Sequence, residues 1–371
     1  MSGTSLDGAD GVLVDFSASP RVLAFASRGF SADFRQELLA LNTPGPNELH
    51  RAALAAHTLV AVYAEVVAEL QAQAHKLGAG PIKALGAHGQ TVRHRPQEFG
   101  GSGYTLQLNN PALLAELTGL DVVADFRTAD VAAGGQGAPL VPAFHAALWA
   151  QAHRSVAVLN IGGISNLTLL PAQGLVRGFD CGPGNALLDH WCQLHTGQPF
   201  DHAGAWAASG RIHQGLLQAL LAEPFFSQHP PKSTGRDLFN PAWLQTKLAD
   251  FKEQLLPADV QASLTAMSAQ ACARDLLTRA PDTHDLLVCG GGALNRTLMQ
   301  HLQAALPGIC VRPTDDAGLP VMQVEAAAFA WLAKAWCDRQ PASLPAVTGA
   351  RGARVLGALY PASQPTHSTL P

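Results

Sequence analysis

Charge is scarce in this chain. Of 371 residues only 14% are Asp, Glu, Lys or Arg, and they sum to a formal net charge of -4 with the signs interspersed. No basic stripe is available for a phosphate backbone, so nucleic acid is not an expected partner. Paired cysteine is lacking too. Cys181, Cys192, Cys272, Cys289, Cys310 and Cys337 stand singly, with no CxxC pair and no histidine spacing of the zinc-site kind. That pattern argues against a zinc site or a disulfide framework and reads as reduced thiols of a cytosolic protein. Uninterrupted apolar runs are also wanting. Stretch 52–70 carries His57, Thr58, Glu65 and Glu69 and reads as too polar for a membrane span. Residues 1–10 have neither the basic nor the apolar region of a secretory leader. The expected location is the cytoplasm, with no membrane partner. A 47% hydrophobic content supports a large core, more naturally divided into two domains than held in one.

Glycine is plentiful, and its clusters sit at the ends of apolar runs. The first is Gly3-Thr4-Ser5-Leu6-Asp7-Gly8-Ala9-Asp10, which feeds an apolar strand at 11–16. The second follows a strand at 156–159 as Asn160-Ile161-Gly162-Gly163-Ile164-Ser165-Asn166 and feeds another at 167–170. The third, Gly290-Gly291-Gly292, follows a strand at 286–289 and precedes a helix. Between them, Ser31 is placed to cap a helix to about residue 41. Leu59, Val62, Tyr63, Val66 and Leu70 then recur at helical spacing. Strands are expected at 82–87 and 121–124, leading into His88 and into Asp125-Phe126-Arg127 respectively, and another at 174–178, with Asp180 just beyond its end. Gly134-Gly135-Gln136-Gly137-Ala138-Pro139 interrupts both periodicities and reads as a domain boundary. The expected division is 1–137, 138–345 and a final strand with a loose tail at 346–371.

The first two glycine loops each open into a strand, whereas Walker and Rossmann loops open into a helix. Two hairpin loops, one per half, can close on a nucleotide from opposite sides, their amides and hydroxyls meeting phosphate oxygens. By analogy this is the architecture of sugar kinases, actin and heat-shock ATPases. Asp180 has two readings, an N-terminal helix cap or a general base, and its glycine flanks favour the base. His88 reads as a backbone-bonded histidine or a substrate contact. Asp125 and Arg127 read as an internal ion pair or as sugar contacts. Lys232 and Arg236, in a proline-flanked polar loop, read as solvated.

The blocks MSGTSLDGAD, GAHGQTVRHRP, ADFRTADVAAGGQGAPLVPAFH, LNIGGISNLT, GFDCGPGNALLDHW, PKSTGRDLFN, CGGGALNRTLM and VEAAAFAWLA resemble, in order and over nearly the whole chain, the motif series of the anhydro-N-acetylmuramic acid kinases of bacterial cell-wall recycling. The resemblance implies an α/β chain of two lobes with the ribonuclease H-like fold of hexokinase and actin, nucleotide between the lobes, and ATP with Mg²⁺ as cofactors. It implies a reaction in which water opens the 1,6 bridge and phosphate passes to O6, on a small sugar, with a homodimer as the expected assembly. By the same resemblance, Asp180 is the base. Gly3, Thr4, Ser5, Leu6, Asp7, Gly8, Ala9 and Asp10 cradle the phosphates, with Asp7 near the metal through water. Asn160, Gly162 and Gly163 form the opposite clamp, Gly290, Gly291 and Gly292 lie against adenosine, and His88, Asp125, Arg127 and Glu325 face the sugar. The alternatives are a kinase of an ordinary amino-sugar hydroxyl and a non-catalytic ATP-dependent binding protein on the same fold. Family members carry a short apolar strand ahead of the first motif, so a strand preceding Met1 is expected.

Overall fold

The computed structural model describes residues 1–3, 6–101, 103–235, 237–251 and 255–362. The chain forms two compact units, Met1–Phe144 with Glu325–Pro371, and His145–Val324. The first boundary lies past the glycine cluster, and the second falls earlier than the expected 345. The reason is packing: Phe329, Leu332 and Ala333 of the helix Val324–Cys337 are buried with Val123, Phe126 and Leu140 of the first unit.

In the first unit, β1 (Gly8–Asp15) and β2 (Arg21–Gly29) form an antiparallel pair with a register shift at Leu13/Val14. Ser31 caps the helix Ala32–Ala40 by accepting from the Phe34 amide, as its sequence position predicts. The helix Glu48–Lys76 follows and buries Leu59, Val60, Tyr63, Val66 and Leu70 against a core shared with β1 and β2. It is long and apolar enough to cross a membrane by length and composition alone, which corrects the reading of stretch 52–70 as too polar. Its buried stripe marks it instead as a packing helix, each fully buried aliphatic side chain contributing about 1.5–3 kcal/mol. Strand β3 (Leu85–Ala87) pairs parallel with β6 (Val122–Ala124), and Ala358–Tyr360 adds antiparallel to β6. A separate hairpin joins β4 (Gln90–Arg95) to β5 (Tyr104–Leu108).

The second unit has one five-stranded sheet. Its strands are β7 (Val156–Ile161), β8 (Ile164–Leu170), β9 (Arg177–Pro183), β10 (Asp285–Cys289) and β11 (Cys310–Pro313), in the order β11-β10-β7-β8-β9. β7 is antiparallel to β8 and parallel to β10. Central placement explains its sequence: Val156, Ala157, Val158 and Leu159 are all buried, the continuous apolar run of a strand covered on both faces. The helix Pro257–Arg279 is buried along most of its length, with Leu264 and Met267 in one core cluster and Cys272 and Leu276 in another. β9 corrects the expected strand at 174–178. It starts at Arg177 and continues through Asp180, opposite Asn166, with a bulge at Ser165/Asn166.

Candidate functional site

The first loop is held at both ends. The buried Ser2 hydroxyl lies 2.9 Å from the Tyr63 hydroxyl and donates to the Gly89 carbonyl. Leu6 adopts a left-handed φ of 59 and buries its side chain in the core, an unusual conformation for a branched residue that the surrounding packing must enforce. Leu6 therefore presents only backbone to a ligand. Its carbonyl accepts from Arg35, and the Asp7 carbonyl accepts from the Phe30 amide. Asp7 is exposed, Gly3 and Gly8 are half-buried and Ala9 is buried. Thr4 and Ser5 lie outside the described residues. At the loop's open side the Met1 ammonium donates to the Asp10 carbonyl and the Asp10 amide to the Met1 carbonyl, both at 2.8 Å. Desolvation pulls the Met1 amino pKa down to about 6, opposed by Asp10 and Glu325.

Three of the four expected sugar residues form an electrostatic group in the same unit. Arg127 donates through Nε to His88 Nε2 at 3.0 Å and through a terminal nitrogen to the Gly137 carbonyl at 2.7 Å. The first contact fixes Nε2 of His88 as the acceptor. Burial, and then the Arg127 charge, hold the His88 pKa well below its ordinary value. Burial also brings Arg127 down to about 10, with Glu325 opposing. The Glu325 carboxyl is reached by solvent, yet the protein around it desolvates it and raises its pKa against the pull of Arg127, with Asp10 and Asp7 adding repulsion. Asp125 stands apart. It is exposed at a φ of 60, and its Oδ1 accepts from the Thr128 amide at the start of a short helix.

In the second unit the two glycine clusters differ in kind. Neither Gly162 nor Gly163 has a left-handed φ, and a Cβ at either would meet nothing nearer than 3.7 Å. Packing does not require glycine at these positions, which makes the turn a place where a ligand can approach backbone. Their carbonyls are already used: Gly162 accepts from the Asn185 amide, and Gly163 from Gly184 and Ala186. Gly290, by contrast, has a φ of 78, and its Cβ would lie 2.5 Å from Asn160 Oδ1, while a Cβ at Gly292 would lie 2.2 Å from Ile161 Cγ2. These two glycines let the 290–294 turn pack on β7. At Gly291 the nearest atom to an added Cβ is Asn185 Nδ2 at 3.4 Å.

Asp180 is not a helix cap. The helix Asn185–Thr196 begins after Gly184, and Asp180 sits within β9 on a bed made by a distant loop. Its amide donates to the Lys232 carbonyl at 3.1 Å, and its Oδ2 accepts from the Ser233 hydroxyl and the Thr234 amide, both at 2.9 Å. Desolvation nevertheless raises its pKa, outweighing these hydrogen bonds and the nearby Lys232 charge. Lys232 is not solvated: its ammonium is buried, donates to Asp275 at 2.8 Å and lies 4.8 Å from the centre of the Phe225 ring. A buried ammonium needs such a partner, and the partner lies on the helix Pro257–Arg279. Ser233, Thr234 and Asp275 are the positioning groups that the sequence pattern did not reveal; hydroxyls in a proline-flanked loop were the one available signal. Arg236 lies outside the described residues.

Residues 1–362 match the family model for anhydro-N-acetylmuramic acid kinase. A protein of that name from Variovorax paradoxus (strain S110) is 62% identical over 368 residues, 98% of each chain. Another from Albidiferax ferrireducens is 59% identical, again over 98% of each chain. A solved xylulose kinase from Rhodospirillum rubrum aligns over 88% of each chain at 12% identity and a TM-score of 0.43. Match length and identity together set the relationship: the chain belongs to the anhydro-N-acetylmuramic acid kinase family.

Proposed function

We propose that the protein opens 1,6-anhydro-N-acetylmuramic acid with water and transfers the γ-phosphoryl group of ATP to O6, giving N-acetylmuramic acid 6-phosphate and ADP. The observation that carries this reading is Asp180, a desolvated carboxylate oriented by Ser233 and Thr234 but still half-exposed. Water attacks C1 and gives its proton to Asp180, as to the base of an inverting glycosidase. The C1–O6 bond breaks as the O6–phosphorus bond forms and the bond from that phosphorus to ADP breaks, so O6 shares the pair it takes from C1 with phosphorus, ADP leaves with its own, and no proton need be delivered to O6. Until the bridge opens, O6 is an ether oxygen with no proton to lose, which is why one site would perform both steps. Arg127 retains its charge at neutral pH and can meet the lactyl carboxylate of the sugar.

The loop Gly3–Asp10 and the turn at Gly162-Gly163 would bind phosphate oxygens through backbone amides. Mg²⁺ fits this donor set. Among the described residues no cluster of three or more His, Cys, Asp or Glu side chains forms a cage. Mg²⁺ commonly takes one or two carboxylates beside substrate phosphates, and exposed Asp7 supplies one, directly or through water. When bound, the ion would neutralise charge on the transferring group. Supply of ATP places the reaction in the cytoplasm.

Asp180→Asn keeps an oxygen to accept from Ser233 and Thr234 but cannot take a proton. Turnover should fall by about 10²–10⁴-fold with the melting temperature preserved, and near-normal turnover would remove Asp180 as base. Isotope-labelled water should mark the C1 hydroxyl of the product; label elsewhere would exclude direct attack. Because only ionised Asp180 serves as base, the acid limb of the rate profile should lie above the usual aspartate range of about 3.9, which a pH–rate measurement reads.

A further inference from the structure

Asp180 rests on a strap of three residues, and the first of them carries a charge into the core. The Lys232 carbonyl accepts from the Asp180 amide at 3.1 Å, and Ser233 and Thr234 both donate to Asp180 Oδ2. The Lys232 side chain is wholly buried, with the Phe179 and Phe225 ring centres 6.0 and 4.8 Å from its ammonium. Its counter-ion, Asp275, lies 2.8 Å away and is itself buried. Phenyl surroundings would accept an apolar side chain as readily, and a buried ion pair is seldom more stabilising than such a replacement. Stability alone therefore does not explain the charge. Around Asp180, β8 contributes Asn166 opposite it, the turn Pro224–Ser227 contributes phenyl rings, and the helix Pro257–Arg279 contributes Asp275 and Cys272, with Cys181 next in β9. Among the described residues Lys232 is the cation that acts on the carboxylate.

We propose that Lys232 and Asp275 are a positioning pair for the base: the ammonium keeps Asp180 ionised, the Lys232 main chain holds the strap against β9, and Asp275 supplies the counter-charge that lets the ammonium stay buried. The assignment rests on Asp180 being the base. Desolvation by itself favours the protonated carboxyl, which cannot take a proton from water. A fixed ammonium opposes this without occupying the site, because it lies in the core. Ser233 and Thr234 then orient an oxygen that is already charged. Wholly buried, Lys232 acts through Asp180 and touches no ligand. Its partner stands 43 residues away in sequence, so the pair also fastens the strap to a helix that the strap does not otherwise share a segment with.

The test pairs Lys232→Met with the double variant Lys232→Met/Asp275→Leu. The single change strands Asp275 and should lower the melting temperature by roughly 10 °C, and the double change, which leaves no charge behind, should recover most of that loss. Asp180 should nevertheless titrate about one unit higher in the double variant than in the unchanged protein, read by carbon-13 NMR of labelled aspartate with Asp180→Asn to assign the signal. On the acid limb of the rate profile turnover should fall by about tenfold, with the KM for ATP unchanged. A double variant that regains both the melting temperature and the original titration overturns the proposal, because the pair then serves stability alone. If the double variant does not fold, Asp275→Asn decides by sign. It keeps a hydrogen-bond partner for Lys232 but removes the anion, and a buried lysine still holds its proton at such acid pH. Asp180 should then titrate lower, and an unchanged or higher midpoint overturns the proposal. The titration needs neither sugar nor ATP. Shifted midpoints in a protein that turns over no anhydro sugar would uphold the action of the pair on Asp180 and overturn the proposed reaction instead.

Discussion

The turn at Gly162-Gly163 and the loop at Gly3–Asp7 occupy matching places in the two units but are braced differently. The turn joins two long paired strands, β7 and β8, and its carbonyls are tied to the start of the helix Asn185–Thr196. The loop has one full strand, β1, on one flank and a single paired residue, Met1, on the other. It is held instead by side chains: Ser2 on Tyr63, Leu6 in the core and Arg35 on the Leu6 carbonyl. Main-chain pairing and side-chain pegging can thus support equivalent loops. Pairing recruits strand neighbours on both sides, whereas pegging depends on a few side chains.

The largest separation between the units should come from charge placed in corresponding strands. Val158→Asp puts an unpaired carboxylate into the buried centre of β7 and should cost at least about 4 kcal/mol. Val12→Asp, on the half-buried β1 beside a cavity, should cost roughly 1–2 kcal/mol, because water can reach it. Equal losses in urea unfolding would erase the distinction. Next in size is an effect of pH on the first unit. The Met1 amino pKa is about 6 when folded against 8.0 when free, so between these values the unfolded chain binds the extra proton. Stability from this group is therefore full above pH 8 and lost as pH falls through 6, a change of up to about 2–3 kcal/mol. Denaturant midpoints across that window should rise with pH, and an extension ahead of Met1 should flatten the slope. The smallest effects concern glycine. Gly292→Ala forces a Cβ into Ile161 and should cost about 1–3 kcal/mol, while Gly162→Ala should leave stability within about 0.5 kcal/mol and raise the KM for ATP. A destabilised Gly162→Ala protein would make that turn a packing feature like its neighbour.

Much of this was legible in the sequence, and the exceptions have physical causes. Helix 32–40 could be read from Ser31, and β7 with β8 from apolar runs around two glycines, because local propensity and tertiary packing agree there. β9 could not, since Gly178, Gly182 and Pro183 disfavour a strand, and only pairing with β8 overrides them. Lys232 looked solvated because its partner, Asp275, is 43 residues away, on a helix whose inward face one sequence does not reveal. Two of the three glycines at 290–292, read as ligand contacts, are required by close packing on Asn160 and Ile161 of β7, a requirement that composition does not reveal. The second unit boundary failed for a similar reason: the helix Val324–Cys337 follows directly on the second unit in sequence but packs in the core of the first.

The amides of Asn185, Gly184 and Ala186 that meet the glycine turn also have a mechanical consequence. Asp180 lies on β9, which runs to Pro183 and passes through Gly184 into that helix. Turn, strand and helix thereby form a closed three-sided frame. A closed frame deforms less than an open one under the same thermal load, so the spacing between Asp180 and the turn is preset in the second unit.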